Sequence, residues 1–406
     1  MRDPMAGVRV VEVAMYGFVT SAGAVLSDWG ADVLKVEHAT TGDPQRGLRR
    51  TGSFVVEGDL NPNIEHPNRG KRSIGLDISV GSGRAVLAEL VAQADVFLTS
   101  LLPGSRKRFG IDVEDIRAIN SDIIYARGSA LGARGEEADR GGYDMTAFWC
   151  RAGTAASITP PDIEGMIPPP APAYGDTISG TNLAGGIAAA LFARERTGEP
   201  SVVDVSLLGS GLWSMGMGIA SSLLAKQPWV APKTGTPGSN NPLTGLYRTA
   251  DGRYLSLVML QAARYWADVC RHIDRPQAAD DPRFADQAGI DAHFEEAAEL
   301  LREAIGAQPL AYWTKRFATL SGPWAPVQDT VQLGEDPQIR SNGFLSPISA
   351  DDGSEYELVA SPVQFDEQTP KLRRAPRFAE HTDAVLEGLG FDWERIIALK
   401  VEGAVT

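Results

Sequence analysis

Residues 8–37 read VRVVEVAMYGFVTSAGAVLSDWGADVLKVE, and the succession of patterns in this stretch decides the fold. Residues 8–13 form a short β-branched run, 22–29 suit a helix, and Asp32–Glu37 is strand-like again. The cycle repeats: a strand over 73–78, a helix near 84–93, a strand over 95–99, a short helix near Val113–Ile119 and a strand over 123–126. Strand–helix–strand order with short connections implies a doubly wound parallel sheet with helices on both faces. Such sheets bind ligands at the carboxyl edge of their strands.

Outward from this core, the proline-rich stretch 159–172 cannot be helical, because proline lacks the amide hydrogen and clashes with the preceding turn. It ends at Tyr174-Gly175-Asp176. An alanine-rich helix follows over 177–196, closed by Thr197-Gly198, and a buried strand is expected over 202–205. Residues 205–225 carry no charge and match the length of a bilayer span, yet nine of them are Gly or Ser. That composition suits close helix packing in a soluble core or a subunit interface rather than membrane insertion. Composition shifts at 227–242, which marks a domain boundary. A hairpin around Ala250-Asp251-Gly252-Arg253 and helices near 261–272, 290–305 and 309–319 predict a smaller α+β domain. Past Pro326 come another hairpin at Asp351-Asp352-Gly353 and a helical segment over 381–400.

The 406 residues, 43% of them hydrophobic, can bury more than one nucleus. The formal charge of −14 opposes a nucleic-acid partner. Residues 1–150 carry 17 basic and 20 acidic side chains against 21 and 32 in the remainder, so an anionic ligand is expected on the N-terminal part. Two cysteines, Cys150 and Cys270, form no CxxC or Cys/His cluster, and the N-terminal residues lack a signal-peptide pattern. A cytoplasmic protein without a metal is the expectation.

Several site patterns fail. Ala14-Met15-Tyr16-Gly17-Phe18-Val19 lacks the GxGxxG of a dinucleotide fold, and Gly70-Lys71-Arg72-Ser73 is not a P-loop, since Glu65 takes the place of the earlier glycine and Arg72 that of the Ser/Thr. No GxSxG or HExxH is present. Three basic clusters, Arg46/Arg49/Arg50, Arg69/Lys71/Arg72 and Arg106/Lys107/Arg108, suggest either solvated surface or an anionic cofactor tail; the last two fall near strand ends. Asp176, between the proline loop and the helix, reads as an N-cap held ionised by amides and the helix dipole, and an ionised, positioned carboxylate is a nucleophile toward activated acyl groups. The five histidines show no metal-ligand spacing; His38 stands out by following the second strand. Trp324 is expected in core or boundary packing.

Segments along the whole chain resemble the family III CoA-transferases, which include formyl-CoA transferase, carnitine CoA-transferase and α-methylacyl-CoA racemase. They are residues 6–12 (AGVRVVE), 30–37 (GADVLKVE), Gly42-Asp43-Pro44, 68–77 (NRGKRSIGLD), Tyr174-Gly175-Asp176, Asp281-Pro282-Arg283-Phe284, Asp336-Pro337-Gln338 and Glu380-His381-Thr382. The resemblance implies a large domain formed by both chain ends (1–226 and 326–406), a small domain (227–325), and an interlocked homodimer. It implies coenzyme A as acyl-CoA substrate, with Tyr16, Gly17 and Phe18 holding it. His38 replaces the usual arginine after the second strand, Ser100-Leu101 replaces Asn-Phe, Leu76 matches an adenine contact and Arg108 the phosphate-binding arginine. Arg72, Phe109 and Arg140 complete the expected set.

The resemblance also makes Asp176 the catalytic nucleophile, through aspartyl anhydride and aspartyl-CoA thioester intermediates, in moving CoA from a donor to a carboxylic acid acceptor. The racemase branch uses a histidine and an aspartate; in Gly142-Tyr143-Asp144 this chain has Tyr143 at the histidine's position. Tyrosine, with an ordinary pKa of about 10, is poorly matched to accept a proton near neutrality. Transfer is therefore expected, racemization of a 2-methylacyl-CoA being the alternative and a non-catalytic acyl-CoA binder a third reading. A glycine-rich flap is only partly represented by Gly235-Thr236-Pro237-Gly238.

Overall fold

Six short apolar runs line up as one sheet in the computed structural model, which describes residues 3–52, 54–56, 58, 60–234 and 239–406. They are β1 (Arg9–Val13), β2 (Asp32–Glu37), β3 (Arg72–Gly75), β4 (Val96–Thr99), β5 (Ile124–Ser129) and β6 (Val202–Ser206). The order is β3-β2-β1-β4-β5-β6 and every pair is parallel. Val10 pairs with Val33 on one side and Val96 on the other, so the winding reverses between β1 and β4. That reversal opens a crevice at the strand carboxyl ends.

Successive side chains of a strand point to opposite faces, and two separate cores result. Val10, Leu98 and Ala126 pack with α1 (Phe18–Asp28) and the long α4 (Tyr174–Thr197); Val11, Phe97 and Tyr125 pack with α2 (Gly81–Ala92). The connection after β4 runs through α3 (Pro103–Phe109), which starts on a proline and stops at Gly110 in the left-handed region, φ +65°. Helices α1 and α4 nearly touch: a Cβ on Gly180 would lie 2.6 Å from Ser21 Cβ and 2.8 Å from the Phe18 carbonyl oxygen. This contact sets the first turn of α4 beside that of α1.

The uncharged stretch is not one helix. It breaks at Met215 into α5 (Leu207–Ser214) and α6 (Gly216–Ala225), bent by 72°. Among the described residues no single helix is long and apolar enough to cross a membrane, although this bent pair together has the length and composition. α6 buries none of its residues within the chain, so of the two expected settings, soluble core or subunit interface, the core does not hold for it.

The chain divides into two compact units. The first comprises 1–158, 166–229 and 337–406, the second 159–165 and 230–336. The second takes in part of the proline-rich loop, which the composition shift at 227 does not foretell. It holds an antiparallel sheet of β7 (Thr244–Arg248), β8 (Tyr254–Val258) and β9 (Trp324–Pro326), packed with α7 (Ala262–His272) and α8 (Phe294–Gly306) around Trp266, Trp313 and Phe317. Trp324 packs partly buried against this core.

Residues 337–406 belong to the first unit. After the hairpin of β10 (Leu345–Ser349) and β11 (Glu355–Val359), the expected final helix is two, α9 (Thr382–Gly388) and α10 (Trp393–Glu402), parted at Gly390, φ +82°. α9 and α10 fill the second core with Val385, Leu386, Ile396 and Leu399. The chain end then continues the edge strand: Asp77 N donates to Ala404 O at 2.8 Å, Thr406 N to Gly75 O at 3.2 Å, and Leu76 pairs with Val405.

Candidate active site

The loop between β1 and α1 is held from below by buried charges. Lys35 Nζ, fully buried in the middle of β2, donates to Ala14 O at 3.0 Å and pairs with Asp43 Oδ2 at 2.8 Å; Asp43 Oδ1 accepts Tyr16 N at 3.3 Å. Tyr16 thereby sits in the left-handed region, φ +65°, which a non-glycine residue adopts only when its surroundings enforce it. Glu12 joins the cluster, bound by Lys71 Nζ at 2.8 Å and lying 3.6 Å from Lys35. Burial, partly offset by Glu12, pushes the Lys71 ammonium down to about 8. Burial lowers Lys35 too, but Asp43, Glu12 and Glu37 outweigh it and its pKa lies above the ordinary value.

These contacts revise the basic clusters. Arg46 is spent on Glu37, Arg69 on Asp28, Lys71 on Glu12 and Arg106 on Asp112. Arg72 is a correction to the cofactor-binding set: it opens β3, at the amino edge of the sheet opposite the crevice, and binds Asp32 at 2.6 Å. Alternation alone assigns Glu12 and Lys35 to solvent; the signal available was a charged residue inside an otherwise apolar buried strand.

At the carboxyl edge the structure gathers most of the remaining residues. Ser100 Oγ accepts Met15 N at 3.1 Å across the switch point. His38 is half exposed, its Nε2 4.0 Å from Asp77 Oδ2. Leu101 follows, and α3 carries Arg108, exposed and stacked 4.7 Å over the Phe109 ring. Arg140 is exposed and paired with Glu137 at 2.6 Å. The side chains of Phe18 and Leu76 lie in the two cores, which leaves only their main chains at the edge. Gly235–Gly238 lies outside the described residues.

Asp176 is the third residue of α4, not its N-cap. That position is taken by Ala173, φ +56°, which offers no side-chain acceptor. The first turn of α4 instead lies against the buried carboxyl of Asp144. Gly175 permits this approach, since a Cβ there would lie 2.5 Å from Asp144 Oδ1 and 2.3 Å from Phe148 Cγ. Gly17, at the start of α1, meets Asp176 itself: its Cβ would stand 2.5 Å from Asp176 Oδ2. The expectation of a firmly ionised carboxylate is overturned, because burial and then the charge of Asp144 push Asp176 up to about 7. Burial also raises Asp144.

Tyr143 joins the site, its ring edge-on to Tyr16 at 5.5 Å and 86°. Burial, then Tyr143, raises the Tyr16 phenol. Asp144 went unrecognised in the sequence although it adjoins Tyr143; its partners are some thirty residues on, and no local pattern connects them. Among the described residues no group of three or more His, Cys, Asp or Glu is placed to hold a metal ion.

The doubly wound α/β unit places a buried carboxyl beside its switch-point crevice, the place where such sheets bind ligands. The model of the family described as CoA-transferase family III matches residues 5–382, and the chain belongs to that family. It is similar to (R)-2-hydroxy-4-methylpentanoate CoA-transferase of Clostridioides difficile, 28% identical over 97% of each chain. It is also similar to succinate–glutarate CoA-transferase of Agrobacterium fabrum, 30% identical over 96% of each. The crystal structure of a CAIB/BAIF family protein from Brucella suis superposes with a TM-score of 0.80 at 26% identity, over 96% of this chain and 100% of that one. The protein is accordingly a CoA-transferase, an enzyme whose substrates are CoA thioesters.

Proposed function

We propose that the enzyme carries CoA from an acyl-CoA donor to a carboxylic acid acceptor by way of covalent intermediates on Asp176. The observation that carries this reading is the Asp176 carboxyl, facing Gly17 at the crevice with a pKa near 7. Such a group is ionised in good part at neutral pH, yet more basic than an ordinary aspartate and so a stronger nucleophile. Its oxygen attacks the donor thioester carbon; the C–S bond breaks and leaves an aspartyl–acyl anhydride and CoA thiolate. The thiolate attacks the aspartyl carbonyl, the donor acid departs as carboxylate, and an aspartyl-CoA thioester remains. The acceptor carboxylate displaces the thiolate to form a second anhydride, and the returning thiolate takes the acceptor acyl group and frees Asp176. Every step exchanges activated acyl groups, so no ATP is consumed.

In this reading Tyr16, Gly17, Phe18, His38, Leu76, Ser100, Leu101, Arg108, Phe109 and Arg140 contact the CoA, Phe18 and Leu76 through their main chains. The enzyme works as an interlocked homodimer in the cytoplasm, its large domain built from both chain ends. The apolar surface that α5 and α6 turn outward, including Trp213, Met217 and Leu224, supports a second copy as partner. The relatives named above differ in their acids, so the test is a panel. Incubation with acyl-CoAs and free acids, followed by mass spectrometry, should reveal new thioesters. Solvent deuterium at the α-carbon without new thioesters would instead establish racemization.

A further inference from the structure

The main chain that enters the crevice is fastened at three consecutive points. Lys35 Nζ donates to Ala14 O at 3.0 Å, Met15 N to Ser100 Oγ at 3.1 Å and Tyr16 N to Asp43 Oδ1 at 3.3 Å. Past them there is no slack, since Gly17 O already accepts Ser21 N at 3.0 Å in the first turn of α1. The chain turns from strand to helix at Tyr16, φ +65°. A tyrosine keeps that conformation only while its neighbours enforce it. We propose that Lys35 and Asp43 are positioning residues for the transfer: they impose the left-handed turn at Tyr16, which presents this loop to CoA and sets Gly17 against Asp176. A Cβ at Gly17 would stand 2.5 Å from Asp176 Oδ2, so even a small rotation at Tyr16 alters the space before that carboxyl. This inference rests on the transfer reaction proposed above.

The chemistry of the pair fits this task better than a purely structural one. Asp43 uses both oxygens: Oδ1 accepts Tyr16 N and, at 2.9 Å, Gln45 N, while Oδ2 lies 2.8 Å from Lys35 Nζ. Asparagine has one acceptor oxygen and a donor in place of the other, so it cannot serve those amides and the ammonium together. Both side chains are buried. There an apolar pair of similar volume often stabilises a fold as well or better, but it offers nothing to Ala14 O or Tyr16 N. The neighbouring charges act elsewhere. Glu12 lies 3.6 Å from Lys35 and is bound by Lys71, which reaches Thr20 O at 2.8 Å; Glu37 binds Arg46 and accepts Asp43 N. Those contacts go to α1 and to the segment after β2.

The test is a double-mutant cycle between Asp43 and Tyr16. Asp43→Ala removes the acceptor of Tyr16 N, and Tyr16→Gly removes the need for it, because glycine adopts a φ of +65° unaided. Titration calorimetry with CoA reads the loop without catalysis. Asp43→Ala should raise the CoA dissociation constant about tenfold in the tyrosine background and less than about twofold in the glycine background. A residue that only stabilises the core would weaken CoA by the same factor in both backgrounds. Such equality, or an unchanged constant in the tyrosine background, overturns the inference. Should Asp43→Ala not fold, Asp43→Ala combined with Lys35→Met removes both charges together and enters the same cycle. A coupled change in affinity with no thioester formed from any acyl-CoA overturns the transfer reading alone.

Discussion

Asp176 keeps its proton to higher pH in the folded protein than in the unfolded chain, and this fixes how its replacement must behave. An unfolded aspartate titrates near 3.9 and the folded one at about 7. The native state therefore binds more protons between these values, and the associated stability, complete below about pH 4, is lost as pH rises through 7. Asp176→Asn is neutral throughout, so urea denaturation should show it gaining on the wild type from pH 4 to pH 8, by roughly 4 kcal/mol at the upper end. Transfer activity should fall by about three decades or more, since an amide forms no anhydride. Arg108, exposed on α3, is proposed to hold the nucleotide of CoA, and a charge-assisted contact of that kind is worth roughly 1.5–3 kcal/mol. Arg108→Ala should accordingly raise the CoA dissociation constant by about one to two decades in calorimetry, and an unchanged value removes it from the nucleotide site. Of these residues, Asp176 was legible from its Tyr-Gly-Asp setting. Its protonation was not, because the local rule for an aspartate before a helix knows nothing of Asp144.

Between elements, the decisive contact is α1 against α4. Gly180 allows it, and through it Gly17 meets Asp176. Gly180→Val would drive the helices apart, costing about 1–3 kcal/mol by overpacking. Thermal unfolding should register that loss, and activity should fall further than stability explains if Asp176 is the nucleophile proposed above, because it loses its place. Activity and melting temperature equal to the wild type would show that the contact is not restrictive. Most strands and helices were readable, since β1, β2 and α4 declare themselves by period and by end signals such as Gly198. Three elements were not. The break at Met215 has no proline or left-handed glycine to announce it, α3 hides beneath its run of cations, and the π-helix Met145–Arg151 winds more widely than the 3.6-residue period. The buried Glu12–Lys71 and Lys35–Asp43 pairs were unreadable for a different reason: the first joins residues far apart in sequence, the second spans the loop after β2, and an isolated cation in a sequence looks solvated.

For the whole molecule, the outward face of α5 and α6 makes the assembly testable. A large apolar patch on a single chain calls for a partner, so sedimentation should give a dimer. Met217→Glu combined with Leu224→Glu should shift it toward monomer or aggregate, while a tight dimer in the doubly substituted protein would place the subunit contact elsewhere. Residues 404–406 carry another consequence, one of timing. They complete the sheet edge at Gly75–Asp77, some 330 residues upstream. At the pace of ribosomal synthesis, roughly 5–20 residues per second, about 15–70 seconds pass between the emergence of one partner and that of the other. During that interval the strand that carries Leu76 waits with its carboxyl end unpaired, exposed to chaperones and to neighbouring nascent chains. A stalled or shortened message would release a polypeptide that contains Asp176 and the proposed CoA contacts and still lacks the last stitch of its sheet.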